Sequence, residues 1–212
     1  MESPLHEIAG PDLKVIETLR FAGQDGFVRL DLHVERAART CARLRFPFDA
    51  QAMRAALQEA VGDTPARCRV TIDRSGKITV ETAPLAPTKD LWHVSVAEET
   101  LTSNDPWLAL KTTRRDVYDR ARAAMPEGAD EVIFLNERGA LCEGSITNIF
   151  VPRGDVLLTP AQACGLLPGV LRQELLESGR VREAFLTLDD LRGEQGFFVG
   201  NSLRGLIPAK LL

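Results

Sequence analysis

The sequence predicts an α+β protein in two parts, on three observations. The first half sets two helix-like stretches among short β-prone runs. Thr102 to Trp107 then breaks the chain with Ser, Asn, Asp and Pro, and beyond it short strands alternate with turns and further helical segments. The division this implies is an N-terminal α+β domain over 1–102, a linker over 103–108 and a C-terminal domain over 109–212. A chain of 212 residues is long enough for two small domains, each with its own core.

Composition narrows the function classes. A net charge of −4 gives no general affinity for nucleic acid or anionic membrane. The densest basic run, Arg36, Arg39, Arg43 and Arg45, falls in one helix-like stretch and reads as a solvated helix face. No apolar run approaches the roughly 20 residues that span a bilayer, and the N-terminus lacks the basic start and apolar body of a signal peptide, so the expected location is cytoplasmic. Cys41, Cys68, Cys142 and Cys164 have no C-x-x-C spacing and are expected as buried free thiols. Cys142 lies beside Glu143, but His6, His33 and His93 have no recognisable link to it as base partners. No cluster of ligands points to a metal hydrolase.

In chain order, Leu13 to Phe21 is β-prone, Gly23 to Gly26 is a turn, and Phe27 to Leu30 reads as the second strand of a hairpin. Asp31 caps a helix to about Leu44, in which His33 and Arg36 share a face. A plain surface helix would place them so as well. Asp49 caps a second helix from Ala50 to about Val61, with Met53, Ala56, Leu57 and Ala60 on its apolar side. Strands follow at Cys68 to Asp73, Lys77 to Thr82 and Leu91 to Ala97. Past the break, Lys111 stands at the mouth of a helix running from Thr112 to about Met125. It is either a solvated charge or, with apolar residues just before it, a partly buried amine of lowered pKa.

Asn136 to Val151 is the stretch on which the rest is organised. Asn136 to Gly139 has the composition of a hairpin turn between Val132 to Leu135 and Ile146 to Val151, so Glu143 sits on or beside a strand. It is either a solvated edge carboxylate or one aimed at a cationic group of a ligand. A strand at Asp155 to Leu158 precedes Gly165 to Arg172, which opens a helix ending near Ser178. There Pro168 fits the first turn, and Gly169 allows an anion to approach the backbone N–H groups. Val181 to Thr187 is a strand, Asp189 to Leu191 a helical turn, and Gln195 to Val199 a buried strand. It runs into Gly200-Asn-Ser-Leu-Arg-Gly205, either a binding loop or a plain turn. Together a lysine, a strand glutamate, an anion-binding helix start and a Gly/Ser loop make the set that pyridoxal phosphate needs. Its aldehyde requires an amine, its ring nitrogen a carboxylate, and its phosphate N–H and hydroxyl donors with a cation.

Lys111-Thr-Thr-Arg-Arg115, Glu143-Gly-Ser-Ile-Thr-Asn148-Ile-Phe, Gly165-Leu-Leu-Pro-Gly-Val-Leu-Arg172 and Asn201-Ser-Leu-Arg-Gly205 together resemble the class IV (fold-type IV) pyridoxal-phosphate enzymes. Ile16-Glu-Thr-Leu-Arg20 and His33-Val-Glu-Arg36 extend the resemblance over nearly the whole chain. Within the family, Phe46-Pro-Phe-Asp49 and Leu186-Thr-Leu-Asp-Asp-Leu191 are most like the 4-amino-4-deoxychorismate lyases. The resemblance implies a small α/β sandwich N-terminal domain and a pseudobarrel C-terminal, pyridoxal-phosphate-binding domain. It also implies a homodimer with a small-molecule substrate. Lys111 is then the Schiff-base lysine and proton shuttle, and Glu143 the partner of the ring nitrogen. Arg36, the N–H groups of Val170 and Leu171, and Ser202 hold the phosphate. Asn148 is a structural brace. Arg20, Arg115 and Arg204 are candidates for substrate carboxylates, or surface arginines. Leu171 replaces a threonine frequent in the aminotransferases, and Arg115 stands where branched-chain aminotransferases place a tyrosine. The first removes one phosphate hydroxyl and leaves only the backbone; the second fits the lyases better and argues against a branched-chain substrate. The alternatives are a class IV aminotransferase for branched-chain or D-amino acids and, against the presence of both Lys111 and Glu143, a non-catalytic pyridoxal-phosphate-binding protein.

Overall fold

The structure, a computed structural model, describes residues 5–193 and 196–212 and forms two compact units. The first runs to Pro87 and takes back Leu110–Arg114; the second comprises Thr88–Ala109 and Arg115–Leu212. The stretch 103–108, expected as a linker, belongs to the second unit, where Ser103 bonds Glu137 through its N–H (2.8 Å) and hydroxyl (2.6 Å).

The first unit contains α1 (Leu5–Ile8), β1 (Val15–Phe21), α2 (Leu30–Leu44), α3 (Ala50–Ala60), β2 (Ala66–Ile72) and β3 (Ile78–Pro84). The strands form an antiparallel sheet in the order β1-β2-β3. Alternation is clean on β2, where Cys68, Val70 and Ile72 are buried, and α2 turns Val34, Ala37, Cys41 and Leu44 inward. Asp49 caps α3 as expected, accepting from the N–H groups of Gln51 (2.8 Å) and Ala52 (3.1 Å), a cap worth about 1 kcal/mol.

Three expectations fail here. Phe27 makes a single bridge to Phe21 instead of opening a second hairpin strand, and Arg29, at φ 59°, turns the chain into α2. Asp31 lies in the first turn of α2, past its cap, and pairs with Arg54 at 2.7 Å. Third, the segment after Leu110 is extended, not helical. Val15 bridges Thr112, Ile16 N–H donates to Lys111 O (2.9 Å), and Thr113 N–H donates to Lys14 O (2.9 Å). These bonds add Lys111 to the free edge of β1, and the next helix starts only at Asp116.

The second unit contains β4 (Trp92–Val96), α4 (Asp116–Ala123), β5 (Glu131–Leu135), β6 (Leu141–Gly144), β7 (Asn148–Arg153), β8 (Val156–Pro160), α5 (Val170–Glu177), β9 (Val181–Ala184), β10 (Phe197–Asn201) and β11 (Gly205–Leu211). Its strands form one eight-stranded sheet, β6-β5-β4-β11-β10-β7-β8-β9. β6 at one edge is joined by only residues 145–147 to β7, near the other edge, so the sheet must curl. The two edges meet where Leu141 N–H donates to Leu186 O (2.8 Å), just past β9. Alternate residues on one face fill the interior: Trp92 and Val94, Ile149 and Val151, Phe197 and Val199, Ile207 and Ala209. α4 covers Val132, Phe134 and Cys142 on the outer face, and α5 packs Leu171 and Leu175 on Phe150. This is the mixed α+β, two-unit architecture expected of fold-type IV enzymes. All four cysteines are buried and free. No helix among the described residues is long and apolar enough to cross a membrane.

β11 was not expected, and the strand before it was expected to begin at Gln195, which lies outside the described residues. Pro208 explains the omission, because a proline argues against an inner strand. Here Pro208 pairs only with Phe198 of β10, and the pairing with β4 begins one residue later at Ala209.

Candidate active site

The residues singled out from the sequence divide between the units: Arg20, Arg36 and Lys111 in the first, and Arg115, Glu143, Asn148, Val170, Leu171, Ser202 and Arg204 in the second.

In the first unit β1 organises the group. Lys111 is half-buried at the β1 edge, beside Ile16. The next residue, Glu17, is 1 % exposed and grips Arg36 in a fork, with Nε donating to Oε1 (2.8 Å) and Nη2 to Oε2 (2.6 Å). His33 Nδ1 lies 2.7 Å from the same Oε2. The surface-helix reading of His33 and Arg36 is therefore wrong, since both are buried, whereas Arg39, Arg43 and Arg45 are exposed. A buried carboxylate attracts cations strongly enough to hold a guanidinium against its desolvation cost. Burial pushes the Glu17 carboxyl up, but Arg36 and His33 together overcome it and hold the group at about 2. For His33 burial wins, and its pKa falls below 6.5 despite Glu17. Arg20, on the same strand, has a buried Nε–H without an acceptor.

In the second unit Glu143 lies on β6 after the turn at Asn136, whose Oδ1 accepts from the N–H groups of Arg138 (2.9 Å) and Ala140 (3.0 Å). It is 4 % exposed, which removes the solvated-edge reading, and the Tyr118 hydroxyl donates to its Oε1 at 2.7 Å. Behind it Glu131, fully buried at the head of β5, gathers the turn 145–147. It accepts from Ser145 Oγ (2.5 Å), Thr147 Oγ1 (2.8 Å), Ile146 N–H (3.2 Å) and Arg122 Nη1 (3.2 Å). Gly144 is required there, because a Cβ would strike Thr147 Oγ1 and stand 2.8 Å from Glu131 Oε2.

Two asparagines tie the remaining motifs to this turn. Asn148 Nδ2 donates to Leu167 O (3.0 Å), and its Oδ1 occupies the place a Cβ at Gly169 would take. Asn148 is thus a brace, as expected. Asn201 Nδ2 donates to Ile146 O (3.1 Å), while its Oδ1 accepts from the N–H groups of Leu203 (3.1 Å) and Arg204 (3.0 Å), shaping the turn that carries the buried Ser202. A Cβ at Gly200 would meet Leu171 Cδ2 at 3.0 Å, so the start of α5 packs directly on the base of that turn. Gly169, not Pro168, precedes α5, and it offers no side-chain cap to the first-turn N–H groups of Val170 and Leu171. The second unit therefore brings Glu143, the start of α5 and Ser202 into one framework.

The three arginines differ. Arg115 Nη2 donates to Ser145 O (2.8 Å), and its guanidinium stacks 5.1 Å over the Tyr118 ring. Arg204 stacks 5.7 Å over Trp92. Four residues of this framework were given no role from the sequence, although Glu17 and Asn201 stand within the quoted motifs: Glu17, Tyr118, Glu131 and Asn201. Tyr118 carried a usable signal, because it lies three residues past Arg115 at a helix start and so on the same face. The others depend on partners distant in sequence.

Residues 14–212 match the sequence profile of the family described as "Amino-transferase class IV". The chain belongs to this family. As a class IV enzyme it is a pyridoxal-phosphate-dependent lyase or aminotransferase acting on a small molecule. A "Putative amino-acid aminotransferase" from Mesorhizobium loti superposes with a TM-score of 0.90 at 43% identity, covering 95% of this chain and all (100%) of that one. A "Putative aminodeoxychorismate lyase" from Schizosaccharomyces pombe is 27% identical over 93% of this chain and 89% of its own length. The 4-amino-4-deoxychorismate lyase from Pseudomonas aeruginosa shares the fold, with a TM-score of 0.79 at 22% identity over 94% of this chain and 83% of that one. 

The framework suits the cofactor's phosphate and ring. Gly169 and Gly200 let Asn148 and Leu171 pack closely against the backbone, which fixes the α5 start beside the turn that carries Ser202. The donors around it are backbone N–H groups and a buried hydroxyl, the set that suits a phosphate, and the buried carboxylate of Glu143 suits a protonated ring nitrogen.

Proposed function

We propose that this class IV enzyme is a 4-amino-4-deoxychorismate lyase, releasing 4-aminobenzoate and pyruvate. The S. pombe relative, which matches along most of its length, carries this reading. Arg115, standing where branched-chain aminotransferases place a tyrosine, supports it. When bound, pyridoxal phosphate supplies an aldehyde that condenses with amines and a ring that accepts the electron pair left by a departing proton. Lys111 is the amine that holds the cofactor covalently. With its amine free, Lys111 Nζ would be the base for the proton on the substrate carbon bearing nitrogen. Glu143 keeps the ring nitrogen protonated, and Arg36, the N–H groups of Val170 and Leu171, and Ser202 hold the phosphate. The electron pair left behind would expel the oxygen of the neighbouring enolpyruvyl group, the ring would become aromatic, and the released enolpyruvate would take up one proton, matching the one Lys111 removed, to become pyruvate. Arg20, with its unpaired buried Nε–H, is the first candidate for a substrate carboxylate, ahead of Arg115 and Arg204, which are stacked on aromatic rings.

The M. loti neighbour favours a second reading, transamination, in which an amino group would be exchanged between an amino acid and a keto acid. One assay separates them. The protein with 4-amino-4-deoxychorismate should form fluorescent 4-aminobenzoate with stoichiometric pyruvate. Amino-group exchange between amino acids and 2-oxoglutarate, without aminobenzoate, would overturn the lyase reading. The cofactor assignment is tested separately by an absorption band at about 410–430 nm that borohydride fixes at Lys111 and that Lys111→Ala lacks. A homodimer is expected, to be checked by light scattering.

A further inference from the structure

We propose that Tyr118 is a positioning residue for Glu143, fixing the carboxylate that meets the cofactor ring nitrogen; this rests on the reading of Glu143 above. Tyr118 is the chain's single tyrosine, and it is 9 % exposed. Its ring is held on two sides: Phe134 packs edge-on with centroids 5.3 Å apart at 74°, and the Arg115 guanidinium covers the face at 5.1 Å. Arg115 is itself anchored on Ser145 O, in the turn that follows Glu143. The hydroxyl is thereby presented to Glu143 Oε1 at 2.7 Å, within the range for a phenol donating to a carboxylate. Burial, then the charge of Glu143, push the Tyr118 phenol up, so the hydroxyl stays a donor.

Packing alone does not call for that hydroxyl. The surrounding cluster of Leu108, Val132, Phe134 and Cys142 is apolar and would take phenylalanine equally well. A glutamate carboxylate turns about its last bond, and a hydrogen bond to a ring N–H is directional. Tying one oxygen to a phenol on a rigid ring removes that freedom before the cofactor arrives.

The test measures cofactor affinity of the apo-protein by quenching of its tryptophans. The ligands are pyridoxal phosphate and the analogue with C–H in place of the ring nitrogen. The wild type should prefer pyridoxal phosphate by roughly tenfold or more. Tyr118→Phe should cut that preference roughly fivefold while leaving affinity for the analogue within about twofold. Glu143→Gln should abolish the preference, and adding Tyr118→Phe to it should change nothing further. Equal weakening of both ligands by Tyr118→Phe, or an unchanged preference, overturns the positioning role while leaving Glu143's role standing. A wild type without preference overturns the reading of Glu143 and this inference with it. Should Tyr118→Phe not fold, Tyr118→Met, whose flexible side chain fills the gap, serves in the same comparison.

Discussion

At the scale of single residues, one carboxylate does structural work for another. Glu131 never faces the cofactor in our assignment, yet its oxygens fix Ser145, Ile146 and Thr147, the turn directly after Glu143. Glu131→Gln keeps the shape but puts an amide donor against groups that all donate. Leaving such groups unsatisfied in a buried site costs about 3 kcal/mol, or roughly 6–12 °C in Tm for a chain of this size. Calorimetry of the apo-protein checks this, and a loss below about 1 °C would show that the turn holds without Glu131. Glu143 and Lys111 could be singled out from the sequence because their neighbours form recognisable phrases, and their roles stand as proposals. Glu131 and Glu17 could not, since an acid among apolar residues acquires meaning only from its partners. For Glu17 these lie 16 and 19 residues away, on another element.

At the scale of elements, the close approach of β7 to the start of α5 depends on one missing side chain. Gly169 has φ −65° and ψ 145°, which alanine adopts freely, so any penalty for Gly169→Ala comes from the collision with Asn148. Gly169→Ala is expected to lower stability by about 1–3 kcal/mol and to weaken pyridoxal phosphate binding several-fold. Asn148→Ala, which also removes the bond to Leu167 O, should make the second substitution nearly silent. A denaturation cycle on the two single variants and the double tests this coupling; strict additivity would mean that the contact carries no strain. Element types came through well in the sequence reading where a cap or an alternation was present, as at Asp49 and on β2. They failed where pairing between distant segments decided the outcome. Lys111 to Arg114 has helical composition on its right, but the open edge of β1 claims it, and β11 was hidden by a proline that only the sheet register makes harmless.

At the scale of the whole molecule, the chain crosses between units at Pro87, Ala109 and Arg114, and composition marks only the first of these crossings, through Pro84 and Pro87. The expected break at 103–108 is polar enough to look like a linker, yet its Ser103 donates to Glu137 on a distant turn and its Asp105 accepts from the nearby Trp107 N–H. What the sequence does fix for the molecule is its response to acid, through the buried Glu17–His33–Arg36 group. Unfolded, Glu17 takes up a proton near its ordinary 4.5; folded, only near 2. Between these values the unfolded chain binds more protons, so acidification through this window favours unfolding. The stability at stake is about 3 kcal/mol, present above 4.5 and lost as pH falls towards 2. His33 acts in the same direction earlier. Its folded pKa lies below 6.5, so below that pH the unfolded chain again binds more protons and stability falls. Urea midpoints of the apo-protein, followed by far-UV circular dichroism, should therefore decline in two stages, the first beginning near pH 6.5 and the second below about 4.5. Glu17→Gln should start some 3–5 kcal/mol lower at pH 7, because Arg36 loses its fork, and should show a flatter second stage. If the variant instead keeps the wild-type slope below 4.5, other carboxylates such as Asp130 and Glu183, also held below their ordinary values, set the acid limit.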